Sequence, residues 1–252
     1  SCDAFSYAIS DGQKFNGNEN KYLYIVSQIQ SDDPSLDYTP NLIASFIKRG
    51  LEGGAGQEAF EKILKKTNEL IDGLLKENGG LKLNIGAALL NKDKISASRI
   101  GKMKLLVSRF GGEVFDVFEN VTQFSKRHFN NKRFSNMISG EVKKGDKFFF
   151  FVPSGRLALK QKQIAASLAR NNQEGFAKDI DGIVGPGALC SCIHFELNEE
   201  LKKVAQGPLP GPKEIPIVAT EVAKISRNDT LKRTSDKFKE MVLGSESKNG
   251  NW

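Results

Sequence analysis

The chain has no stretch approaching the roughly 18 consecutive apolar residues that a bilayer-spanning helix requires. Its longest apolar run, "KFFFFVP" from Lys147, is only strand length, so no transmembrane segment is expected. It lacks a starting methionine and the charged, then apolar, then small-residue order of a secretion signal. That pattern points to a trimmed or partial chain. Cysteine is scarce, with three residues, Cys2, Cys190 and Cys192. The last two stand two apart and project to one side of a strand, a geometry that disfavours a bond between them. A reducing cytoplasm is the expected setting. There are two histidines, His128 and His194, and neither a CxxC nor an HExxH pattern, which argues against the usual zinc sites. His194, within "ALCSCIHFEL", reads as a strand residue.

What remains is ordinary for a folded, soluble protein. The chain has 252 residues, 39% hydrophobic and 27% charged, long enough for one large domain or a domain plus a tail, with a full two-layer core. The formal charge of +7 raises the question of an acidic partner such as nucleic acid or an anionic membrane surface. Its distribution argues otherwise. Basic residues are mixed with glutamates, as in "EAFEKILKKTNEL", and the one dense cluster, "KRHFNNKR" from Lys126 to Arg133, is short and reads as a solvated face. No specific nucleic-acid binding is expected.

"DAFSYAIS" (3–10) alternates Phe5, Tyr7 and Ile9 with small or polar residues and reads as a strand, paired through a long loop with "YLYIVSQIQ" (22–30). Helices are expected over 40–51, behind a proline suited to a first turn, and over 57–78, where apolar residues keep a helical step until "NGG". Then strands are expected at 81–91, 94–100, 102–110 and 113–121, joined by short links as a meander. A polar loop to about residue 140 leads to "DKFFFFVPS" (146–154), whose aromatic run suits a strand buried on both faces. A helix over 158–170, a loop containing "GIVGPG" and a last strand over 188–197 complete the domain.

Residues 1–198 are thus expected to form one α+β domain of antiparallel sheets covered by helices. Residues 199–252 are expected to form a Pro-containing linker, through "GPLPGPKEIP", and a basic tail that is helical or disordered.

Three phrases, in order, carry a resemblance over residues 3–197. They are "NIGAALLN" after a Gly-Gly pair, "ASRIGKMKLLVSRFGGEV", and "GEVKKGDKFFFFVPSGRL". This frame resembles the PPM family, the metal-dependent protein phosphatases of type 2C. The resemblance implies a PPM phosphatase-like sandwich of antiparallel β-sheets flanked by helices. It also implies a site in which aspartates at strand ends hold two Mg²⁺ or Mn²⁺ ions that activate water against phosphoserine or phosphothreonine. Hard cations at close separation need several carboxylates to offset their charge.

The matching positions do not supply them. Gln28 stands where the family's first metal-binding aspartate ends the second strand, Lys102 follows Gly101 where an aspartate is usual, and Ser154 stands near the later acid. No acid lies between Gly182 and Glu196. Gln28, Lys102 and Ser154 are therefore the expected degenerate active-site positions, with no catalytic or metal-binding residue and no cofactor. The Lys102 ammonium is expected to enter the space the ions would take.

The expected function is that of a pseudophosphatase, a regulatory module binding a protein partner or a phosphorylated peptide. The alternative is a divergent active serine/threonine phosphatase that holds Mg²⁺ or Mn²⁺ through Asp11, Asp146, Asp179 or Asp181. A third reading, a nucleic-acid or membrane-surface binder, rests on the "KRHFNNKR" cluster and the tail.

Overall fold

The computed structural model describes residues 1–9, 21–52, 54, 56–77, 80–109, 112–119 and 133–197. The expected domain boundary at 198/199, the tail and Asp11 lie outside the described residues. By its internal contacts the chain divides into two units, Ser1–Gly207 and Pro208–Trp252, and every described residue belongs to the first.

Among the described residues, nine strands form two antiparallel sheets. The first sheet has the order β1 (Cys2–Ile9), β2 (Lys21–Gln30), β3 (Lys82–Asn91), β4 (Lys94–Ile100) and β7 (Met137–Glu141). The second has the order β6 (Val114–Asp116), β5 (Lys104–Ser108), β8 (Lys147–Phe151) and β9 (Cys192–Glu196). Helices α1 (Thr39–Leu51) and α2 (Gln57–Glu77) pack on the first sheet. Helices α3 (Gly155–Leu159), α4 (Gln161–Arg170) and α5 (Gln173–Val184) pack on the second. The architecture is the expected α+β sandwich of antiparallel sheets flanked by helices.

The larger cores among the described residues follow from the side-chain period of two along each strand. On β8 all four phenylalanines are buried. Phe148 and Phe150 enter the core between the sheets, and Phe149 and Phe151 enter the core under α4 and α5. Burying each ring contributes roughly 2–3 kcal/mol. Between the sheets Phe195 stacks on Tyr24 at 4.0 Å and on Phe148 at 4.7 Å. The Phe150 ring lies so close to Gly86 that a β-carbon there would collide with it. On the other face of the first sheet, Ile25 and Ile85 meet Ile43, Ile47, Phe60 and Ile71 from α1 and α2.

The expected meander is instead split between the sheets. β3 pairs with β4, but β5 pairs with β6 and β8. The link at Gly101–Lys102 is therefore a crossing from one sheet to the other. Gly101 takes the left-handed conformation with φ +69°, and the Arg99 guanidinium braces the crossing by donating to the Met103 carbonyl at 2.7 Å.

Other departures have local causes. β6 stops at Asp116 because its carboxylate accepts the Phe118 amide at 3.0 Å and turns the chain. β7, expected as loop, is recruited by the edge of β4, where the Ser96 and Ser139 hydroxyls meet at 2.8 Å. The helix expected over 158–170 breaks at Lys160 into α3 and α4. α5 replaces an expected loop, its first turn capped by the Asn172 side chain accepting from the Gly175 amide at 3.0 Å.

Candidate functional site

Two of the three expected positions come together at the end of the first sheet. Gln28, near the end of β2, lies directly opposite Asn84 of β3. The Asn84 Nδ2 donates to Gln28 Oε1 at 3.3 Å, and Asn84 Oδ1 accepts the backbone amide of Lys102 at 2.8 Å. Gln28 Nε2 in turn points at the Cys2 sulfur, 3.7 Å away on β1. A β-carbon at residue 101 would run into Asn84 Oδ1 and the Leu83 carbonyl, so the crossing requires glycine. The Lys102 side chain is exposed, and among the described residues it has no hydrogen bond or ion pair.

Ser154 follows β8. It precedes α3 without a capping bond from its hydroxyl, and its amide donates to the Val152 carbonyl at 2.8 Å. It lines a separate cavity of about 310 Å³ with Arg156, Val184, Pro186, Leu189 and Cys190. Among the described residues no hydrogen bond joins it to Gln28 or Lys102.

Two residues of the site were not anticipated. Asn84 connects Gln28 to Lys102; its signal in the sequence is a polar residue inside the otherwise apolar strand "LKLNIGAALL". Ser191 ties the sheets together, its hydroxyl donating to the Ser27 carbonyl at 2.6 Å while its carbonyl accepts the Val152 amide at 3.1 Å. It therefore spans from the second sheet to the residue beside Gln28.

The acids considered as alternative ligands serve other elements. The Asp146 carboxylate, buried, accepts the Lys143 amide at 2.9 Å and closes the turn before β8. Asp179 accepts from the Ser167 hydroxyl at 2.7 Å and from the Asn171 amide at 2.8 Å, bracing α5 against α4. Asp181 is exposed on α5. Among the described residues no three His, Cys, Asp or Glu side chains gather as a metal site would need.

The donor set at Gln28 and Asn84 does not fit a pair of divalent ions. Both side-chain oxygens are neutral and already accept a hydrogen bond. Neither carries the negative charge that two close Mg²⁺ or Mn²⁺ ions demand.

A charged group stands at the start of β5. The Lys104 ammonium lies 2.9 Å from Asp116 and 3.0 Å from Glu119. Burial acts against that ammonium, but the hydrogen bonds and charges of both acids outweigh it and hold Lys104 above its ordinary pKa. Arg99 is shifted the other way, below its ordinary value, because burial outweighs the same two acids. Its guanidinium lies 4.9 Å from the centre of the Phe118 ring.

Under α5, His194 packs against Phe176, and its Nε2 is buried without a hydrogen-bond partner among the described residues. Burial, then the nearby Lys147, lowers its pKa. Burial, aided by Cys190 and Asp181, pushes the Cys192 thiol up to about 12. All three cysteines are free.

Of the basic cluster only Arg133 is described, and it is engaged, its Nε and Nη2 meeting Asp72 of α2 at 3.0 and 2.6 Å. No helix among the described residues is long and apolar enough to cross a membrane.

No family model matches the sequence, and no curated protein matches it by sequence. Solved structures do match by shape. The Mycobacterium tuberculosis serine/threonine phosphatase PstP/Ppp is similar with a TM-score of 0.53 and 11% identity, over 78% of this chain and 99% of that one. The S. agalactiae serine/threonine phosphatase gives a TM-score of 0.57 and 11% identity, over 78% and 93%. The catalytic domain of PstP in complex with two manganese ions gives 0.55 and 10%, over 79% and 99%. The chain thus has the fold of the PPM-type serine/threonine phosphatases.

Proposed function

We propose that this chain is a pseudophosphatase, a PPM-type fold that binds a partner through the surface around the degenerate site and does not turn over phosphate esters. The observation that supports this reading is the amide chain from Gln28 through Asn84 to the Lys102 backbone. Neutral groups that satisfy one another stand where paired aspartates would be needed, and a lysine follows directly. That lysine adds an exposed positive charge next to the pair, which works against gathering divalent cations there.

The same lysine supplies the binding chemistry. Exposed, and without a counter-ion among the described residues, its ammonium suits an acidic or phosphorylated peptide segment. No Mg²⁺ or Mn²⁺ is required for such binding. We place the protein in the cytoplasm on its unpaired cysteines.

The test is direct. Purified protein is assayed with p-nitrophenyl phosphate and with a phosphothreonine peptide, with Mn²⁺ and then with chelator, alongside calorimetric titration with Mn²⁺. Background hydrolysis and no saturable Mn²⁺ binding are expected. Chelator-sensitive turnover overturns the reading in favour of a divergent active phosphatase. Binding of the phosphothreonine peptide is expected to weaken severalfold in Lys102→Gln.

A further inference from the structure

At the end of the sandwich away from the Gln28 pair, the two sheets separate around an apolar cavity of about 210 Å³. Its walls come from alternate residues of facing strands: Ile95 and Ala97 on β4, Leu105 and Val107 on β5, Ile138 on β7 and Phe148 on β8.

Two small residues leave the space. Ala97 lies directly opposite Ile138, and Gly140 directly opposite Ile95, so both face the second sheet. A β-carbon built on Gly140 would meet no atom within 4 Å. Gly140 is itself exposed on β7, so the space opens to solvent at this edge while its inner walls are apolar. The Arg109 side chain crosses one side of the opening. It donates from Nη2 to the Glu141 carbonyl of β7 at 3.1 Å, and its guanidinium stands 5.4 Å from the centre of the Phe115 ring of β6. It thereby joins the edge strands of the two sheets across the cavity mouth.

We infer that this cavity is a binding site for a small uncharged apolar molecule, of the size of one aromatic ring plus a few carbons. An apolar protein cavity of about 150 Å³ accommodates benzene, and this one is larger. The class is set by the lining. Asp146 and Glu141 also contribute to the wall, which disfavours a carboxylate-bearing ligand. Arg109 is already committed to a carbonyl and a ring. An apolar occupant would regain the dispersion contacts that the facing side chains now lack. This site is independent of the degenerate phosphatase site.

The test uses the full chain and indole as probe, followed by methyl NMR and thermal melting. Saturable shifts of the Ile95, Leu105, Val107 and Ile138 methyl resonances and a rise in melting temperature are expected. Gly140→Leu, which places a side chain in the void, is expected to weaken indole binding at least tenfold, and Ala97→Val serves as a second filling variant should the first not fold. No saturable shift in the wild-type protein overturns the inference. So does indole binding that is undiminished in every filling variant that folds, or benzoate binding as tight as indole.

Discussion

Asn84 holds the backbone of Lys102, its Oδ1 accepting that amide at 2.8 Å, while its own NH₂ reaches Gln28 at 3.3 Å. One side chain thus joins β2, β3 and the crossing to β5. Asn84→Ala is expected to cost roughly 1–2 kcal/mol, the usual range for lost hydrogen bonds with a partner left unpaired. Gly101→Ala is expected to cost more, because residue 101 sits at φ +69° and a β-carbon would meet Asn84 Oδ1 and the Leu83 carbonyl. In the double variant part of that collision disappears. Urea unfolding of the four proteins should therefore give a sum that is not additive, by about 0.5 kcal/mol or more.

Gly86 sets how closely the sheets approach, since the Phe150 ring occupies the place of its missing side chain. Gly86→Ala overpacks the inter-sheet core and is expected to lower stability by about 1–3 kcal/mol. The readout is the urea midpoint. A midpoint unchanged from wild type would mean the ring moves aside freely.

His194 carries a lowered pKa through burial and Lys147, and its Nε2 lacks a partner among the described residues. Its neutral form is the one the fold favours. The full contribution is present above the unfolded value near 6.5, and stability is lost as pH falls from there toward the lower folded value. His194→Phe removes both the titration and the unpaired nitrogen. The melting temperature of wild type relative to this variant is expected to drop between about pH 7 and pH 5, and a parallel pair of curves would refute the assignment.

Lys104 is the counter-ion of the buried Asp116. Lys104→Met leaves that carboxylate with no cation at hydrogen-bond distance and is expected to destabilise by roughly 2 kcal/mol or more at neutral pH. Because the Lys104 pKa is raised above 10.5, its stabilisation is complete below that value and fades as pH climbs through the folded one. The gap between wild type and variant should therefore hold from neutral pH to about 10 and narrow only beyond it.

Cys192, pushed up to about 12 from a value near 9, carries two to three orders of magnitude less thiolate than an unperturbed thiol at pH 8. Iodoacetamide should label it far more slowly in the native protein than in urea, which peptide mass spectrometry can follow. Equal rates would place the thiol in solvent.

Much of the fold is written in local periodicity. The 57–78 helix and the "KFFFFVP" strand are visible because their apolar spacing is long or unbroken, and the elements observed, Gln57–Glu77 and Lys147–Phe151, sit within them. β7 was hidden because "MISGE" has no strand pattern of its own and is ordered by the β4 edge beside it. α5 was hidden behind "GIVGPG", although Asn172 and the Phe176–Ile180 pair, four residues apart and both buried, are a helix signal. The split of the meander has no local mark beyond Gly101, since short links serve both a hairpin and a crossing. At the candidate site, Gln28 and Lys102 are linked through Asn84. That role of Asn84 was not legible, because it depends on register between strands.

Phe148 to Phe151 give β8 no solvent-facing side. The helices over the second sheet cannot lift away without wetting Phe149 and Phe151 on the very backbone that carries Phe148 and Phe150 into the other core. Opening of one layer is thereby coupled to loosening of the next, so amide hydrogens along this strand are expected among the last of the domain to exchange with solvent, the two layers melting together.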